Sequence, residues 1–123
     1  MKMMEAAFNQ DYVGQAPLIV AVCTTNIDYR MPNGQPSYPV DLSFAASHIV
    51  LQAVHEGLGT CWVGWFEREP VKRILGVPDS KEVPILVTIG HPAEKPAPRA
   101  RKSLDELIMQ DAYQGAGRKG RKG

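Results

Sequence analysis

Cysteine is scarce in this chain of 123 residues: there are two, Cys23 and Cys61. Neither stands in a Cys-x-x-Cys spacing or beside a cluster of ligand residues, which excludes a structural zinc site and a disulfide scaffold. Both lie in apolar runs and are expected as reduced core thiols of a cytoplasmic protein. No apolar run is long enough to span a bilayer, so no membrane partner is expected. Residues 1–7, Met-Lys-Met-Met-Glu-Ala-Ala, lack the long apolar core of a signal peptide. The usual catalytic motifs are missing too. None of Ser37, Ser43, Ser47, Ser80 and Ser103 sits in a Gly-x-Ser-x-Gly elbow, and there is no phosphate-binding P-loop. Gly57-Leu58-Gly59 lacks the third glycine of a dinucleotide fingerprint and ends a helical pattern instead of opening one. His48 and His55 are seven residues apart with no third ligand at metal spacing, so they read as helix histidines. No catalytic side chain and no metal are expected.

What is present is enough for one domain. Apolar residues make up 44% and charged residues 22%, as in an average globular protein. Ten prolines and eleven glycines point to short elements and many turns. The net charge of +1 hides an asymmetry. Residues 1–98 carry seven basic and ten acidic side chains; residues 99–123 carry seven basic and three acidic. The last residues repeat Arg-Lys-Gly units and read as a basic disordered tail, 111–123, after a domain over 1–110. No aromatic is interleaved with Arg118, Lys119, Arg121 and Lys122, so a solvated tail is expected and no nucleic-acid partner.

Periodicity places the elements. Residues 1–9 read as the last turns of a helix, broken by Gly14 and Pro17. Residues 18–25 form a continuous apolar run, the mark of a strand covered on both faces. Asn33-Gly34 marks a turn in a proline-rich loop. Asp41 reads as an N-cap. Leu42, Ala45, Ala46, Ile49, Val50, Ala53 and Val54 then recur at helical spacing to about Glu56. Gly57 is a left-handed cap. Residues 60–66 read as an aromatic strand, 69–75 as a short helix ended by Gly76, and 83–89 as a second buried strand. Ser103 and Glu106 form a capping box on a final helix. Alternating helices and strands give an α/β or α+β class with strands inside. Few helices are visible to cover those strands.

Two places could carry chemistry. Gly64 lies between Val63 and Trp65 in the aromatic strand, and a strand glycine lets a flat ligand approach the backbone. A tight turn with a bulge is the plain alternative. In the extended segment Pro98-Arg99-Ala100-Arg101-Lys102, Arg99 and Arg101 point the same way and could clamp a phosphate. A solvated basic linker is the plain alternative there.

The ordered set of segments resembles the nitroreductase family of flavin-dependent proteins. The carrying residues begin with Asn9-Gln10, Ala16-Pro17 and the apolar strand. Asp41 and its Ala-rich helix follow, then His55-Glu56-Gly57-Leu58-Gly59-Thr60-Cys61-Trp62-Val63-Gly64. Leu75-Gly76-Val77-Pro78, Ile89-Gly90-His91-Pro92 and Pro98-Arg99-Ala100-Arg101-Lys102-Ser103-Leu104-Asp105 complete the set. The resemblance implies an α+β three-layer sandwich, with a central, mainly antiparallel sheet flanked by helices. It also implies a homodimer with FMN at its interface. Family members usually open with an Arg-x-Ser-x-Arg-like segment, so the match is to the later portion of the fold, N-terminally truncated.

By that resemblance Val63, Gly64 and Trp65 lie along the flavin ring, Asn9 touches it, and Arg99 and Arg101 grip the phosphate. The implied function is FMN-dependent NAD(P)H oxidoreduction, by ping-pong hydride transfer to a nitroaromatic, a quinone or a similar small-molecule acceptor. The alternative is a non-catalytic or weakly flavin-binding member that acts as a subunit or dimerising protein.

Overall fold

The structure, a computed structural model, describes residues 2–113. It divides the chain into two compact units, Met1–Ala93 and Glu94–Gly123. From residue 114 onward the expected basic tail lies outside the described residues.

The first unit is built on three strands, β1 (Leu18–Val22), β2 (Gly59–Val63) and β3 (Ile85–Gly90). β3 is central, and it pairs antiparallel with both neighbours in the order β1-β3-β2. β1 and β2 therefore run the same way, and a crossover helix must join them. That helix is α3 (Tyr38–His55). Strand alternation assigns the two faces. Val22, Val87 and Ile89 pack with Ala46 and Ala53 of α3 on one face. Leu86 and Val63 pack on the other with Ala6 and Ala7, Val13 and Val71. The elements on that second side are α1 (Lys2–Ala6), α2 (Asp11–Gln15) and α4 (Arg68–Leu75). The result is the expected α+β arrangement: helices, an antiparallel sheet, helices.

Helix ends follow local chemistry. Gly57 takes φ +74°, and Leu58 N–H donates to Ala53 O at 2.8 Å, a Schellman closure that only glycine enters without strain. This turn delivers the chain directly into β2.

Several local expectations are corrected. α3 begins at Tyr38 rather than after Asp41, because Pro39 supplies the pre-set φ of a first turn and Ser37 O accepts from Val40 and Asp41 N–H. Gly14 does not end a helix but lies inside α2. Of the apolar stripe on α3 only Ala46 and Ala53 are buried, and Val54 is exposed. β1 is not fully covered, since Leu18 is exposed. Cys23 and Cys61 are free thiols but both are exposed, not core. Cys61 lies on an edge strand, and Cys23 follows the last residue of β1.

In the second unit, residues 94–103 form neither helix nor strand, and α5 (Leu104–Leu107) follows. Its capping box is present: Glu106 Oε2 accepts from the Ser103 N–H at 2.9 Å and from its hydroxyl at 3.0 Å.

Candidate functional site

β2 ends at Val63, which is buried against Leu86 in register. The chain then leaves the sheet through Gly64 and Trp65, both exposed. A Cβ added to Gly64 would meet only Ile85 Cδ1, at 3.7 Å. The backbone there is open on its outer side.

Asn9 is brought to this segment by the turn between α1 and α2. Phe8 and Asn9 are consecutive non-glycine residues at φ +51° and +55°. Left-handed backbone costs roughly 1–2 kcal/mol per L-residue, so something must hold it. Asn9 N–H donates to Met4 O at 2.9 Å and Gln10 N–H to Ala7 O at 3.2 Å. The Gln10 side chain does more. Its Nε2 donates to Ala7 O at 2.8 Å and to Trp65 O at 2.7 Å, and its Oε1 accepts from the Tyr12 hydroxyl at 2.5 Å. Glu67 N–H donates to Ala6 O at 2.7 Å. The Phe8 and Trp65 rings lie 5.7 Å apart, tilted by 47°. Burial, then the neighbouring Cys61 thiol, push the Tyr12 hydroxyl above its ordinary pKa, so it stays a neutral donor to Gln10.

Of the six expected residues, Val63, Gly64 and Trp65 thus form one segment, and the turn that carries Asn9 is tied to it through Phe8 and Gln10. The sequence assigns Gln10 no role, although it stands in the Asn9-Gln10 pair, and the left-handed turn that aims its amide appears only in the structure.

Arg99 and Arg101 belong to the other unit and are exposed. Among the described residues neither has a carboxylate partner, and Arg101 Nη1 reaches only Ala100 O, at 3.5 Å. They are uncommitted guanidinium groups. A separate cavity of about 240 Å³ is lined by Cys23, Thr24, Asn26, Tyr29, Tyr38 and Asp41, and contains none of the six.

The two sets of groups lie in different units, and each suits its own ligand chemistry. A side-chain-free backbone segment next to an exposed amide suits a flat polar ring, and unpaired guanidinium groups suit a phosphate.

Known proteins resemble this chain over most of its length. The family model described as Nitroreductase family matches residues 2–91. The chain is 25% identical to an NADH dehydrogenase of Thermus thermophilus over 87% of its length and 67% of that protein's. It is 26% identical to an NADPH-flavin oxidoreductase of Vibrio harveyi, over 92% of this chain and 52% of the relative. The crystal structure of nitroreductase A from Vibrio parahaemolyticus superimposes with a TM-score of 0.80 at 22% identity. That match covers 93% of this chain and 54% of the neighbour. The chain spans about half to two-thirds of the length of these proteins.

Proposed function

The chain belongs to the nitroreductase family, and from that membership we propose that it is an FMN-dependent NAD(P)H oxidoreductase. The observation that carries the reading is the Gln10 bridge, which holds the Asn9 turn against an open Gly64 backbone. Asn9, Val63, Gly64 and Trp65 would hold the ring of FMN, and Arg99 and Arg101 its phosphate. Bound FMN would supply hydride acceptance from NAD(P)H and hydride donation to a nitroaromatic, quinone or similar acceptor. The chain's own residues bind and orient. Gly64 would let backbone reach the ring, and backbone dipoles there would tune its electronics without a side-chain acid or base. Use of one face by NAD(P)H and the acceptor in turn would give ping-pong kinetics.

A homodimer is part of the proposal. Val40, Phe44, Leu51 and Val54 form an exposed apolar row along α3. Such a row is costly in water and suits an interface. The same row supports the alternative, a dimerising protein without catalysis. A cytoplasmic setting is also proposed, supported by two free thiols. Among the described residues no helix is long and apolar enough to cross a membrane.

Purification with added FMN, followed by dialysis, tests the main reading. A flavin absorbance spectrum and NAD(P)H oxidation with a quinone are expected. A colourless protein overturns it. A flavin-free dimer by light scattering moves the assignment to the alternative, and a monomer removes the homodimer.

A further inference from the structure

We propose that the Trp65 indole, with Phe8 packed beside it, is the surface on which the electron-poor ring of the acceptor lies, so that Trp65 selects acceptors. The proposal rests on the flavin-reductase reading above. It adds a role for the Trp65 side chain, which that reading does not specify.

Trp65 is 72% exposed although it adjoins the one open backbone position of the candidate site. A large aromatic surface left in water next to a binding segment has a reason to meet a ligand. Its placement is also fixed. Gln10 Nε2 anchors the Trp65 carbonyl at 2.7 Å, and the same amide nitrogen anchors Ala7 O, one residue before Phe8. Phe8 is held at φ +51° and meets the indole at 5.7 Å. At 47° the two rings are not stacked flat, and Phe8 itself is 47% exposed. Both rings therefore keep accessible surface. An indole face is electron-rich, while quinones and nitroarenes are electron-poor, so their quadrupoles are opposite and favour stacking. Trp62 does not share this role. It pairs in register with Val87, which packs on the α3 side of the sheet.

Two arms test the proposal. In the Trp62→Phe protein Trp65 is the only tryptophan. Titration with 1,4-naphthoquinone, without NAD(P)H, should give a saturable loss of emission at constant fluorescence lifetime. A linear loss with a falling lifetime is mere collision and overturns the proposal, as does no loss, the result expected if a second copy covers the ring. The second arm is the ratio of kcat/KM with 1,4-naphthoquinone to kcat/KM with ferricyanide, an acceptor without a ring. This ratio should fall about tenfold in Trp65→Ala and stay within about twofold of wild type in Trp65→Phe. An unchanged ratio in a flavin-loaded Trp65→Ala protein overturns the Trp65 role alone. A wild-type protein that holds no flavin overturns the reading beneath it, while the fluorescence arm still decides whether the indole takes a flat ring.

Discussion

Around Gly64 the chain is cross-braced by residues far apart in sequence. Gln10 reaches Trp65 across 55 positions, Glu67 N–H reaches Ala6 O, and Val63 is buried beside Leu86. Around Arg99 and Arg101 nothing comparable exists: the segment is exposed, without helix or strand, and its cations have no carboxylate among the described residues. The two groups of residues proposed to bind FMN are therefore prepared differently. The Asn9–Trp65 group is preorganised by the fold of the first unit. The Arg99–Arg101 segment of the second unit offers exposed charge without such bracing. Preorganised contacts cost little further entropy on binding, whereas an exposed arginine must be immobilised.

The difference is sharpest in stability. Leu86 is fully buried in the central strand between the sheet and the α1, α2 and α4 side. Leu86→Ala should cost about 2–5 kcal/mol, read as a lower urea midpoint. Leu107 in α5 is exposed, and Leu107→Ala should stay within about 0.5 kcal/mol. Equal losses would erase the contrast between the two units.

Flavin binding gives the next test. Arg101→Ala should weaken FMN binding by about 2–4 kcal/mol, the scale for removing one partner of a desolvated charge pair. Without FMN its thermal midpoint should not move, because Arg101 makes no ion pair among the described residues. FMN affinity unchanged by this substitution, measured by flavin fluorescence titration, would remove the phosphate role.

Gly64→Ala probes the ring end with a smaller expected effect. The new methyl would make an ordinary 3.7 Å contact with Ile85 Cδ1, so the fold should tolerate it. If the backbone there faces the flavin, the methyl intrudes on the ring and FMN affinity drops severalfold. Unchanged affinity would return Gly64, which lies just past the end of β2 and not within a strand, to a plain turn.

Much of the scaffold was legible because its signals are local. Gly57 and Gly76 stand where left-handed backbone is needed, and both take it, at φ +74° and +66°. Three strands and the Ser103–Glu106 box follow from runs and spacings a few residues long. The candidate site was legible only as residue types. Nothing near Gln10 says that its amide meets Trp65, because that contact exists only once β2 and the α1–α2 turn pack on one side of the sheet. The exposure of Cys61 was hidden for the same reason: an apolar run does not say which strand lies at an edge. α3 starts a turn early because Pro39 favours a helical start that the Asp41 signal obscured.

The smallest effect concerns the one element of the second unit that local chemistry does hold. Hydrogen bonds from the Ser103 N–H, then from its hydroxyl, lower the Glu106 pKa from its ordinary 4.5. A carboxyl with a depressed folded value binds fewer protons folded than unfolded. Its contribution is therefore complete above about 4.5 and is lost as the pH falls through the folded value. Acidification through that window should lower the amide protection factors of α5, taken relative to the intrinsic exchange rate at each pH, and leave those of β3 unchanged, since burial rather than a carboxylate holds that strand. In Glu106→Gln the part of this pH dependence that comes from the box should disappear, because the amide cannot titrate, while Asp105 remains in the same turn. A Glu106 carboxyl that titrates at or above 4.5 by carbon NMR would show that the box does not persist in solution. Loss of β3 protection in the same pH window would show that the two units do not owe their order to different forces.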